Sequence, residues 1–201
     1  VPLFAVPVSN TQLNTASEEI KQFLINVEFE RMFSGNGWYS VDKYILDRPE
    51  VAPLKNNIMD ALRDYVDVVL ELTPEVSFEM KNSWVVKHDV GDWGQMHAHT
   101  NCLLSGVYYL DVSEKSGDLI FHKSTGWDNL FPLALDIDVK TQNTFNSKMW
   151  RFRPHNDQLF LFPSNALHSI SVNDSESTRY SLAFNFFPKG KLGGKEYELV
   201  L

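Results

Sequence analysis

Apolar residues fall into two helical stripes and then a long series of strand-like runs. Between residues 15 and about 27, Ile20, Phe23, Leu24 and Val27 recur at helical spacing and share one face. Thr15 and Glu18 stand three apart at its start, the spacing of a capping box. A second, longer helix opens at Arg48-Pro49-Glu50, because proline is tolerated in a first turn. Its stripe is Val51, Leu54, Ile58, Leu62, Tyr65, Val66 and Val69, and Pro74 bounds it. Residues 33–47, with Gly35, Gly37 and Trp38, predict a loop, and the N-terminal VPLFAVPV predicts an edge strand or docking segment.

After Pro74 the period changes. Residues 76–78, 83–87, 103–110, 118–120, 159–162, 169–172 and 180–187 suit strands by their β-branched and aromatic content. Gly91, Gly94, Gly106, Gly117, Pro163 and Asn173-Asp174 punctuate them, and 197–201 suits a last strand. Short strands with turns between them predict a sandwich or barrel. The fold class is mostly β with flanking N-terminal helices, in one domain spanning 1–201: helical support over 1–75, strands over 76–201. Residues 123–154 are long and polar, contain Trp127 and Trp150, and suit a lid or substrate loop. No internal repeat or low-complexity tract interrupts the chain.

Composition narrows the partners. The chain has 201 residues, 43% hydrophobic and 13% aromatic, with a formal net charge of −8. That balance argues against a nucleic-acid or anionic-membrane surface, which needs clustered Lys and Arg. No apolar run approaches a membrane span, and the N-terminal apolar stretch lacks the basic region of a signal peptide. The single cysteine, Cys102, allows no internal disulfide, which points to a reducing compartment and a cytoplasmic location. A homodimer is allowed.

The chemistry concentrates between Trp84 and Leu110 and between Asp157 and Phe187. His97 and His99 are one residue apart, so on a strand both imidazoles address one point. His168 follows FPSNAL far downstream, where a turn places it at the start of the next strand. Three neutral imidazoles suit Fe, Zn, Cu or Ni and leave coordination positions open. Any one histidine alone is more often a satisfied core or surface residue; His88, His122 and His155 lack such company. Arg179 sits in an aromatic strand and is either a surface arginine paired with Asp174 or Glu176 or a bidentate clamp for a carboxylate. Ser181 shares its strand face, and Tyr109 could add a second hydroxyl; alternation makes one of Tyr108 and Tyr109 a core aromatic.

These residues resemble the Fe(II)- and 2-oxoglutarate-dependent oxygenases, closest to their prolyl-4-hydroxylase-like branch and, within it, to a group of 2OG-Fe(II) oxygenases of unassigned substrate. The family pattern is His-x-Asp/Glu, a distant His, and an Arg or Lys on a following strand. His97, His168 and Arg179 match it. Gly91 and Trp93, SGVYYL at 105–110, Gly117-Asp118 and FPSNALHSI…TRYSLAFNF agree in order, over roughly residues 84–187. Gly37-Trp38-Tyr39-Ser40 and Leu54-Lys55-Asn56-Asn57-Ile58 also resemble that group.

One position departs from the family: the carboxylate falls on His99. Either His99 coordinates, giving a three-histidine site, or it stands aside, leaving two histidines and an extra open position; His-x-His in the resembled group favours coordination. The resemblance implies a double-stranded β-helix with Fe(II), 2-oxoglutarate and dioxygen, Arg179 gripping the far carboxylate with Tyr109 or Ser181, and His88 at the co-substrate end. It implies hydroxylation of a peptide residue or small molecule with release of succinate and CO2. Two alternatives stay open: a three-histidine cupin-type enzyme that does not use 2-oxoglutarate, and a non-catalytic ligand-binding β-helix module.

Overall fold

Strand alternation gives the larger sheet one face for each of two cores. The computed structural model describes residues 5–15, 17–34, 36–123 and 138–201. In chain order its elements are β1 (Ser9–Gln12), α1 (Glu18–Ile25), β2 (Phe29–Arg31), β3 (Trp38–Ser40), α2 (Ala52–Asp64), β4 (Val76–His88) and β5 (Gly94–His97). They continue with β6 (Leu104–Asp111), β7 (Leu119–His122), β8 (Met149–Phe152), β9 (Gln158–Pro163), β10 (His168–Ile170), β11 (Arg179–Leu192) and β12 (Leu199–Val200). The large antiparallel sheet runs β1-β9-β6-β11-β4-β3-β2, with β12 on β11; the small one runs β5-β10-β7-β8. The result is a double-stranded β-helix of two facing sheets, with the helices on the outer face of the larger. Among the described residues no helix is long and apolar enough to cross a membrane.

β6 shows how the pattern sorts side chains. Tyr108 and Leu110 join Leu182, Phe184, Leu54 and Ile58 in the core beneath the helices. Tyr109 points the other way and packs with Leu119, Phe121, Phe160 and Phe162 between the sheets. Alternation at a pleated strand forces this division.

Several expected boundaries shift. α1 is capped by Ser17, whose hydroxyl accepts from the Ile20 N–H at 3.3 Å, not by a Thr15–Glu18 box. The Thr15 hydroxyl instead donates to the Leu13 carbonyl and accepts from Asn57. The second helix enters through a 3-10 turn at Pro49–Val51 and ends in a π turn at Tyr65–Val69. The wider π turn rotates the stripe, so Val66 is buried while Val69 is 53% exposed. The expected loop at 33–47 holds β3 and a 3-10 turn at Ile45–Asp47; three-residue elements are too short for periodicity to reveal. Gly35 and the first half of VPLFAVPV lie outside the described residues; β1 follows that segment. The expected strands at 76–78 and 83–87 are one strand, β4, paired along β11. Of the expected lid, residues 124–137 with Trp127 lie outside the described residues; β8, with Trp150, pairs with β7.

Candidate metal centre

The last residue of β5 and the first of β10 face each other: His97 pairs with His168 in register. His99 lies two residues beyond β5, and its backbone N–H donates to the Ser164 carbonyl at 2.9 Å. That bond folds the chain so that the third ring stands beside the other two. Ring centroids are 4.3 Å apart for His97–His168 and 5.2 Å for each pair with His99. One ring nitrogen from each lies within 4.8 Å of the others, so the structure brings the three predicted ligands together.

The remaining nitrogens are occupied. Nδ1 of His97 lies 2.7 Å from the Gln95 carbonyl, and Nδ1 of His168 lies 2.8 Å from the Ala166 carbonyl. Nδ1 of His99 lies 2.6 Å from Oδ1 of Asn185. A carbonyl oxygen only accepts, so each Nδ1 carries the proton and each Nε2 keeps its lone pair. An imidazole held this way is oriented and made more basic for a metal. Burial pushes the His168 pKa down to about 3, and the His97 charge adds to the effect. Burial also lowers His99, partly offset by the Asn185 hydrogen bond. Both rings are therefore neutral at pH 7, the form that can ligate a metal.

Further in, β11 opens with Arg179, which is 1% exposed. Its Nη1 donates to the Gly117 carbonyl at 3.3 Å, while Nε and Nη2 have no partner. Its guanidinium lies 4.9 Å from the Tyr109 ring centroid. This burial excludes the surface pairing with Asp174 or Glu176, both of which are exposed. Gly117 makes the approach possible: at φ +102 its Cβ would sit 2.5 Å from the Ser171 carbonyl and 3.2 Å from Nη1. Opposite Arg179 in register is His88, buried with both ring nitrogens unpartnered. Burial and then the Arg179 charge push its pKa down to about 4. Ser181 faces Tyr109 in register, and the Tyr109 hydroxyl also has no partner. Burial raises the pKa of Tyr109, against the pull of Arg179. A buried guanidinium with free donors, and further polar groups beside it, could receive an anion.

A cleft of about 570 Å³ joins these parts, with the three histidines, His88 and Ser181 in its wall. Arg179 and Tyr109 lie outside that wall, fully buried beside Ser181 and His88. Met32, Phe33 and Tyr39, flanking and within the β2–β3 hairpin, line the cleft with Trp84, whose ring lies 6.2 Å from that of His99. His122 bonds Ser169 and His155 is exposed; neither joins the cluster. Sequence reasoning missed Asn185, although alternation from Arg179 through Ser181 and Ala183 places it on the same face. It missed the hairpin because no residue there carries distinctive chemistry.

A family model described as "Putative 2OG-Fe(II) oxygenase" matches residues 82–185, just over half of the chain. The chain belongs to this family. The matched segment holds all three histidines and Arg179. The oxygenase has no match among curated proteins. Its fold is shared by HygX from Streptomyces hygroscopicus with nickel and 2-oxoglutarate bound, at 11% identity and TM-score 0.62, covering 90% of this chain and 83% of that one. A Pseudomonas putida prolyl-4-hydroxylase matches at 13% identity and TM-score 0.58, covering 90% and 92%. A 2OG-Fe(II) oxygenase family oxidoreductase from Burkholderia pseudomallei matches at 13% and 0.57, covering 84% and 75%.

Proposed function

We propose that this oxygenase binds Fe(II) through His97, His99 and His168 and binds 2-oxoglutarate with its far carboxylate on Arg179. Ser181, Tyr109 and His88 line that end. The observation that carries the reading is a cleft walled by the three histidines, His88 and Ser181, with a buried guanidinium that has two unsatisfied nitrogens beside the last two. Bound iron, 2-oxoglutarate and dioxygen supply the oxidising chemistry, which hydroxylates the substrate and releases succinate and CO2.

The chain's own residues prepare for this. The three carbonyl acceptors hold each imidazole in its ligating tautomer. Arg179 fixes the anion by charge and by a forked pair of donors that need no rearrangement. Neutral His88 and the Tyr109 hydroxyl add hydrogen-bond capacity without adding positive charge. Leu119, Phe162, Ile170 and Val107 in the wall exclude water. The primary substrate, a peptide residue or a small molecule, approaches past Met32, Phe33, Tyr39 and Trp84. In this reading residues 1–201 act as one domain, the enzyme is cytoplasmic on the strength of its single free cysteine, and a homodimer is allowed.

Anaerobic titration of the apoprotein with Fe(II) and then 2-oxoglutarate tests the proposal. A visible charge-transfer band that vanishes in air, with succinate formed, is expected. Iron binding without the band would move the assignment to a three-histidine enzyme that does not use 2-oxoglutarate. No iron binding would remove it altogether.

A further inference from the structure

His97 and His168 donate to backbone carbonyls two residues before them, whereas His99 donates to a side chain on another strand, 86 positions away. We propose that Asn185 is a positioning residue that selects the ligating tautomer of His99, so that a histidine can serve where the wider 2-oxoglutarate-dependent oxygenases have a carboxylate. The inference rests on the reading that His99 is a ligand. A carboxylate presents lone pairs in any orientation; an imidazole presents one only if its proton is held on the other nitrogen. The Asn185 oxygen does this holding. Turned over, its amide would offer Nδ2 to the ring, move the proton to Nε2 and block the metal.

A row of hydrogen bonds supports the observed orientation. Oδ1 of Asn185 also accepts from the Ser105 hydroxyl at 2.8 Å, and Nδ2 donates to Asn82 Oδ1 at 2.9 Å. Ser105 in turn meets the Ser164 hydroxyl at 2.8 Å, and Ser164 is the residue whose carbonyl holds the His99 backbone. Asn82, Asn185 and Ser105 are register neighbours on β4, β11 and β6, so the sheet itself spaces them. The β11–β4 register shifts just after Asn185. Asn185 is 7% exposed within an aromatic strand, where an apolar side chain would avoid the cost of burying an amide.

Co(II) titration of the apoprotein, read by its ligand-field absorption, tests the proposal without turnover. Asn185→Leu, nearly isosteric but without an acceptor, should weaken Co(II) binding by roughly 10- to 100-fold and alter the spectrum. Asn185→Asp, which keeps the acceptor, should bind at least as tightly as wild type. In a His99→Ala background, Asn185→Leu should have almost no further effect. Wild-type affinity in Asn185→Leu, or an equal loss with and without His99, would overturn the proposal. So would a loss of about tenfold in Asn185→Asp, a variant that decides the matter even if Asn185→Leu does not fold. If His99→Ala binds as tightly as wild type, the three-histidine reading falls and takes the proposal with it. If His99→Ala is weakened while Asn185→Leu is not, only the proposal falls.

Discussion

Arg179 and His88 lie opposite each other on β11 and β4, both buried, each with nitrogens that no protein group satisfies. A cation without a counter-ion in a dry site destabilises the apoprotein while prearranging it for an anion. Replacing Arg179 with Met should therefore raise the apoprotein's thermal stability, by about 1–4 kcal/mol on the precedent of buried ion groups exchanged for apolar ones. The same change should raise the 2-oxoglutarate requirement by about 10- to 100-fold, the worth of a charged hydrogen-bonded contact. Calorimetry with and without 2-oxoglutarate checks both halves. A variant that loses stability and keeps its 2-oxoglutarate dependence would place the clamp elsewhere.

Acid sensitivity follows from His88. Its folded pKa of about 4 lies below the ordinary 6.5, so the unfolded chain takes up a proton first as pH falls. The stability His88 contributes is complete above pH 6.5 and is lost as pH drops toward 4. The full loss is on the order of 3–4 kcal/mol, since each pKa unit is about 1.4 kcal/mol. His88→Leu should flatten the apoprotein's stability-against-pH curve in this window by about one proton. His99 and His168 are depressed as well, so some slope should persist. An unchanged slope in denaturant titrations at several pH values would contradict the assignment.

His97→Ala and His168→Ala should each abolish turnover and most iron binding, because two imidazoles remain where three converge. Iron retained at wild-type affinity in either variant would mean that the metal is held elsewhere. His99→Asp is the sharper change, since it introduces the carboxylate that the wider 2-oxoglutarate-dependent oxygenases carry there. Activity retained in His99→Asp marks a tolerant ligand position, and activity lost marks a specific need for the imidazole.

Gly94 opens β5 and packs against Ile170 of β10 within the small sheet. A Cβ there would meet Cγ1 of Ile170 at 2.7 Å. Gly94→Ala should push β5 away from β10 and separate His97 from His168. Metal affinity should fall by about tenfold or more, while global stability falls by only about 1–3 kcal/mol, the usual range for overpacking. Equal losses in both, from metal titration and thermal unfolding, would show that the strain spreads through the whole fold.

The legible parts of the chain were those where chemistry and periodicity coincide. His97 was placed by its spacing to His99 and by the family motif, since its own strand, β5, has no apolar run to mark it; His168 and Arg179 could be placed because each abuts a run with strand character. The helix stripe from Val51 to Val66 was legible for the same reason. The Ser17 cap was missed because Thr15 offered an equally plausible box two residues earlier, and only the bonds of Thr15 to Leu13 and Asn57 decide between them. That His99 works from beyond the end of β5 was also hidden; strand spacing brought the two histidines together on paper, but a single bond to Ser164 does so in the fold. Asn185 was readable as a face and not as a partner, since its role depends on a residue 86 positions away.

β5 is an edge strand of four residues, and among the described residues β10 is its one neighbour within the small sheet. Short edge strands open locally at far lower free energy than the body of a sheet. His97 and His168 form the rung that closes this weak pair, so an ion held between them joins two strands that few backbone bonds secure. Occupancy of the centre and order in β5 then become one equilibrium. Amide hydrogens of residues 94–97 should exchange quickly in the apoprotein and slow sharply when metal is added, while those in the middle of β11 exchange at the same rate in both states. The oxygenase would thus carry a built-in reporter of its own metallation, readable at the edge of the sheet without any substrate present.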